Sequence, residues 1–127
     1  MKNRPFRVRM GFALSGIRAC WRGEASFRTQ ARLAALALTA LLVLRPAPIW
    51  WAVVAICCAL VLALELVNSA MEAVIDRLHP EVHPAIGLAK DMLAGAVLVM
   101  SLASLLVGAA MLVDAGPRFL HEIGILR

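Results

Sequence analysis

Glu65, Asn68, Ser69, Glu72 and Asp76 are spaced so that they can act together. On a helix turning 100° per residue they fall within an arc of roughly 100°. Leu66, Val67, Ala70, Met71, Val74 and Ile75 take the other side. The stripe closes a long apolar run, where charge is costly unless it faces a bundle interior or a site. Lys90 and Asp91 follow a short connection later. Carboxylates that converge with a lysine suit a divalent cation carrying phosphates. Mg²⁺ takes hard oxygen ligands, typically one or two carboxylates plus phosphate oxygens. The lysine can offset phosphate charge, and a further carboxylate can take a proton from an attacking hydroxyl. The chain has no GxxxxGK[ST] loop and no G-x-G-x-x-G, so a nucleotide site here is neither a P-loop nor a soluble-kinase loop.

Residue types and spacing alone leave three classes open. One is an intramembrane acidic site that handles Mg²⁺ and phosphate. A second is a small cation- or proton-coupled membrane transporter. The third is an assembly subunit in which Asn68 and Ser69 bond across helices.

The elements that must position the stripe follow from composition. Of 127 residues 62% are hydrophobic, against about half in a soluble domain, so the membrane class is favoured and one compact domain is the expectation. The net charge of +5 does not point to nucleic acid, because the basic residues crowd the N-terminus beside apolar segments. That distribution belongs to a membrane surface. Cys20, Cys57 and Cys58 give no disulfide framework, and the adjacent pair lies in an apolar run where cysteine packs as a small hydrophobe.

An all-α membrane protein is expected, with three crossings and a surface helix. Residues 4–22 read as an amphipathic helix on the membrane, with Phe6, Met10, Ala13, Ile17 and Trp21 on one face and Arg4, Arg7, Arg18 and Arg22 round the other. A first crossing is expected over 26–44, where Arg28 and Arg32 reach the interface with long stems. Arg45-Pro46-Ala47-Pro48 breaks it. A second helix over 49–78 opens on Trp50-Trp51 as an aromatic anchor and carries the stripe in its last turns. His79 and His83 stand four apart, a metal spacing on a helix, but Pro80 and Pro84 argue against a continuous helix there. A third crossing is expected over 86–113, and 114–127 reads as an exposed tail after Gly116-Pro117. Ser104 and Gly108 give a small-xxx-small spacing that could seat a neighbouring helix.

Most Lys and Arg fall before residue 33 or within 77–90, leaving Arg45, Arg118 and Arg127 for the other side. The positive-inside rule then places the N-terminus and the 76–90 connection in the cytoplasm. Glu24, the lower stripe and Lys90-Asp91 meet at that interface.

These segments resemble the prokaryotic diacylglycerol kinase family, small membrane enzymes unrelated to soluble kinases. Glu65-Leu-Val-Asn-Ser-Ala-Met-Glu-Ala-Val-Ile-Asp-Arg77 is close to its E-x-x-N-[ST]-A-[IM]-E-x-[VA]-[VI]-D signature, and Gly87-Leu-Ala-Lys-Asp-Met92 matches its G-x-A-K-D core. Gly16–Arg28 resembles its G-hydrophobic-R…E-x-x-[FW]-[RK] block. The resemblance implies a homotrimer with composite sites in the bacterial inner membrane, transferring the γ-phosphate of ATP to a lipid hydroxyl. By matching position, Glu24 and Glu72 would hold Mg²⁺ with the ATP phosphates, and Glu72 would be the catalytic base. Glu65, Asn68, Asp76, Lys90 and Asp91 would shape the rest of the nucleotide site. Arg18, Trp21, Ser69 and Glu65 would meet the lipid. Diacylglycerol is the expected acceptor, with undecaprenol the alternative among relatives that share these blocks. Gln30 departs from the family, which often carries an acidic residue at that position.

Overall fold

The computed structural model describes residues 4–126, and they form four helices: α1 (Phe6–Gly23), α2 (Ala25–Leu44), α3 (Pro48–Leu78) and α4 (Pro84–Glu122). Among the described residues there is no strand. α2, α3 and α4 are each long and apolar enough to cross a membrane. The chain is therefore an all-α membrane protein with three membrane-length helices and a shorter N-terminal one.

Each break has a local cause. Pro5 precedes α1 as its N-cap, so the surface helix starts at Phe6, two residues later than the sequence suggests. Glu24 alone separates α1 from α2; its extended backbone (φ −107°, ψ 115°) turns the chain between them. Arg45 ends α2 in the left-handed conformation with φ 44°, donating its backbone N–H to the Leu41 carbonyl 3.0 Å away. Pro48 and Pro84 act as helix starters, although the sequence reading treats them as breakers. Proline suits the first helical position, where its missing N–H would have no partner anyway, so α3 begins at 48 and α4 at 84. His83 Nδ1 accepts from the Ala85 N–H at 3.2 Å, capping α4.

The other correction is at the C-terminus. Residues 114–122 are not an exposed tail: α4 runs through Pro117 to Glu122, and Arg127 lies outside the described residues. Pro117 removes one backbone hydrogen bond. Tertiary contacts offset that loss. Asp114 Oδ2 accepts from Trp50 Nε1 at 2.8 Å, Arg118 Nη2 donates to the Arg45 carbonyl at 3.1 Å, and Ala115 is buried. The last turns of α4 thus clasp the α2–α3 turn.

α3 is central, packing on both α2 and α4. Near the clasp, Leu41, Val54 and Met111 make the apolar core, with Ala37, Leu44, Trp50 and Val107 against it. α1 touches the bundle mainly through its buried last turn at Cys20. Phe6, Met10, Ile17 and Trp21 stay exposed, an apolar face of the kind that lies in a membrane interface.

Candidate active site

The polar stripe sits at the end of the bundle away from the Leu41 core. α3 continues unbroken through it to Leu78, so Glu65, Asn68, Ser69, Glu72 and Asp76 share one helical face. That face also carries Val54, Cys57 and Val61, which are buried along with Glu65. Burial therefore runs along one side of α3 and changes from apolar to polar at Glu65.

Glu65 is the one charged side chain buried among the described residues, at 3% exposure. A buried carboxylate needs donors. Ser26 Oγ donates to Glu65 Oε2 at 3.0 Å, from the first turn of α2. One turn further along, Ser69 Oγ donates to the Glu65 backbone carbonyl at 2.9 Å and accepts from the Cys20 thiol at 3.4 Å. These bonds hold the α1–α2 junction against the stripe. Glu24 lies at that junction, half-buried, between Cys20 and Ser26.

Asn68 Nδ2 donates to Glu72 Oε1 at 3.1 Å. Its own Oδ1 is buried with no hydrogen-bond partner among the described residues. An orphaned buried acceptor costs about 1–3 kcal/mol until something donates to it or coordinates it. Asp76, a turn beyond Glu72, forms an ion pair with Lys90 across the α3–α4 connection. Arg28, on α2, donates to the carbonyls of Trp21 and Arg22 at 2.9 and 3.2 Å, and the Trp21 ring meets Phe27 edge-on at 6.4 Å.

Most of the residues expected at the site are thus brought to one end of the bundle. Glu65, Asn68, Ser69, Glu72, Asp76 and Lys90 are linked there by hydrogen bonds or an ion pair. Arg18, Glu24 and Asp91 make no side-chain hydrogen bond or ion pair among the described residues. Lys90 and Asp91 are helix neighbours and point 100° apart. Ser26 and Cys20 were missed by sequence reasoning. Nothing local marks a serine as the partner of a carboxylate 39 residues away.

The donor set can be tested against Mg²⁺. Among the described residues, no three His, Cys, Asp or Glu side chains gather into a metal cage. Mg²⁺ does not need one, since it binds through one or two carboxylates and completes its shell with phosphate oxygens and water. Two half-buried carboxylates, Glu24 and Glu72, and the unpartnered Asn68 carbonyl oxygen fit that chemistry.

Residues 11–112 match the prokaryotic diacylglycerol kinase family, covering both the α1–α2 junction and the stripe. The chain belongs to that family. Curated relatives agree with the assignment. This family member is similar to the diacylglycerol kinase of Escherichia coli, 38% identical over 89 residues covering 70% of this chain and 73% of the relative. It is 36% identical over 104 residues to the diacylglycerol kinase of Pseudomonas aeruginosa, 77% of this chain and 85% of the relative. With that of Synechocystis it shares 33% over 106 residues, 83% of this chain and 61% of the relative. The match ends at residue 112, two residues before Asp114.

Proposed function

We propose that this chain is a diacylglycerol kinase that uses ATP and Mg²⁺ and makes phosphatidic acid and ADP. The observation that carries the reading is the Glu65–Glu72 stripe, held under the α1–α2 junction inside a chain of this family. In this reading Glu72 is the base. Its carboxylate takes the proton from the lipid's free hydroxyl as that oxygen bonds to the γ-phosphorus and the bond to the departing ADP oxygen breaks. Asn68, bonded to Oε1, fixes the carboxylate's rotamer and leaves Oε2 for the proton.

Glu24 and Glu72 would hold Mg²⁺, which when bound offsets the charge of the β- and γ-phosphates. Lys90 exchanges Asp76 for phosphate oxygens on ATP binding, and Asp76 and Asp91 border the nucleotide. Glu65 is tied to Ser26 and Ser69, so it holds the junction that presents Glu24. Arg18, Trp21 and Ser69 line the lipid's approach. The homotrimer and a cytoplasmic N-terminus belong to the same reading. They are supported by the exposed apolar helix faces and by basic residues concentrated at the stripe end.

The test is phosphate transfer from ATP in detergent micelles, with diacylglycerol and undecaprenol offered in parallel, with and without Mg²⁺. Transfer to diacylglycerol that stops on chelation and returns with Mg²⁺ is the expected result. Transfer mainly to undecaprenol replaces the acceptor. Absence of transfer from folded protein overturns the reading.

A further inference from the structure

Glu24 is the single residue between α1 and α2, so whatever fixes its backbone fixes where its carboxylate stands. Its N–H donates to the Cys20 carbonyl at 2.8 Å, as in a continuing helix. Its extended ψ of 115° then turns the chain away. The carbonyls of Trp21, Arg22 and Gly23 thereby lose the partners that a further turn would supply. Such carbonyls need donors, and a cation placed there also meets the negative end of the helix dipole.

Arg28 supplies both. From the first turn of α2 its Nη1 reaches back over Glu24 and donates to the carbonyls of Trp21 at 2.9 Å and Arg22 at 3.2 Å. Its backbone N–H donates to the Glu24 carbonyl at 3.4 Å, so Arg28 holds Glu24 from both sides. The sequence reading sends this side chain outward together with Arg32. Arg32 is indeed exposed and makes no side-chain hydrogen bond or ion pair among the described residues, whereas Arg28 is half-buried. The other links between α1 and its neighbours at the bend are weaker. The Cys20 thiol is a poor donor to Ser69 at 3.4 Å, and Trp21 and Phe27 meet edge-on without a hydrogen bond. Ser26 ties α2, not α1, to Glu65. Hydrogen bonds from a charged guanidinium are about twice as strong as neutral ones, so Arg28 is the strongest link across the bend.

We propose that Arg28 is a positioning residue for the cation site. By pinning the end of α1 to the first turn of α2 it sets the place of the Glu24 carboxylate, and through it the affinity for Mg²⁺ with ATP. This rests on the reading of Glu24 as a Mg²⁺ ligand given above. A guanidinium committed to two carbonyls acts through the backbone it holds, not by touching the phosphates.

The test measures the Mg²⁺ concentration that half-saturates phosphate transfer to dioleoylglycerol at fixed ATP. It uses the full chain and its Arg28→Gln, Arg28→Met and Arg32→Gln variants. Arg28→Met keeps a long apolar stem for packing, so it serves if the glutamine variant fails to fold. Removing a group that orients a metal ligand costs about 10- to 100-fold in metal affinity, so both Arg28 variants should need at least about tenfold more Mg²⁺. Arg32→Gln removes an equal charge one turn away without breaking a bond and should stay within about twofold. A smaller share of folded protein lowers the maximal rate but leaves the half-saturating concentration where it was. A fall in maximal rate alone therefore overturns the proposal. An equal rise in Arg32→Gln overturns it too, because it assigns the effect to lost charge. Amide hydrogen exchange supplies a readout independent of turnover. The Glu24 amide should exchange about tenfold faster in Arg28→Gln and Arg28→Met, and as in the wild type in Arg32→Gln; unchanged exchange in the Arg28 variants overturns the pin. If the wild type transfers no phosphate, the kinase reading falls, and exchange at Glu24 still decides whether Arg28 pins it.

Discussion

At the scale of single residues, the site works by giving similar carboxylates different surroundings. Glu65 is buried and bonded to a hydroxyl, Glu72 is half-buried and bonded to an amide, and Asp76 is exposed and paired with a lysine. These settings suit three tasks: holding the junction, taking a proton, and guarding the lysine. Glu72→Gln keeps the size of the side chain and the helix but removes the carboxylate that the proposed mechanism uses as proton acceptor and cation ligand. Turnover in the micelle assay is expected to fall at least about 100-fold while the fold is retained; a variant that keeps most of its turnover removes Glu72 from the role of base. Ser26→Ala tests the other task. It leaves Glu65 Oε2 without its hydroxyl donor, at a cost of about 1–3 kcal/mol, so the thermal unfolding midpoint in detergent should drop. The stripe was legible in the sequence because three of its four successive intervals are three or four residues, one helical turn. Ser26 and Cys20 were not, because their partners are distant in sequence and only the bend at Glu24 brings them together.

At the scale of elements, apolar run lengths and proline positions were enough to count and order the helices. They misplaced the ends wherever tertiary contacts or proline's preference for a helix start decided the matter. α4 is the clearest case. Gly116-Pro117 reads as a stop, and a helix isolated in water would fray there. In the folded chain Trp50 and the Arg45 carbonyl supply partners for Asp114 and Arg118, so the helix carries on for five residues past the proline. Trp50→Phe keeps the ring and removes the indole N–H. It is expected to cost about 1 kcal/mol and to loosen residues 114–122, measured as faster amide hydrogen exchange over that stretch. Turnover should change little, because the clasp lies at the end of the bundle opposite Glu72. Exchange unchanged over those residues would show that burial of Ala115 and Met111 holds the helix end without the bond.

At the scale of the whole molecule, one chain leaves its own site half open. Asn68 and Glu72 are only half-buried, although α3 is membrane-length and its neighbours cover one side. Lipid accepts exposed leucine without penalty, but a carboxylate and an amide facing hydrocarbon are costly. The shell around the stripe is therefore completed by something polar: the cytoplasmic interface, the nucleotide, or a second copy of the chain. The interface can wet Asp76 and Lys90, whose ion pair is already exposed. Asn68 lies deeper, about two turns further along α3, where water at the interface reaches poorly. The nucleotide or a neighbouring protomer can cover that level, and cover by a protomer is the physical case for the proposed homotrimer. Light scattering of the purified protein in detergent is expected to give three chains per particle. Charge adds the orientation: labelling of single engineered cysteines in intact cells should reach a position near Arg118 and miss one near Arg4. A monomeric particle with full turnover would mean that lipid and nucleotide alone shield Asn68 and Glu72, and that one chain holds a complete site.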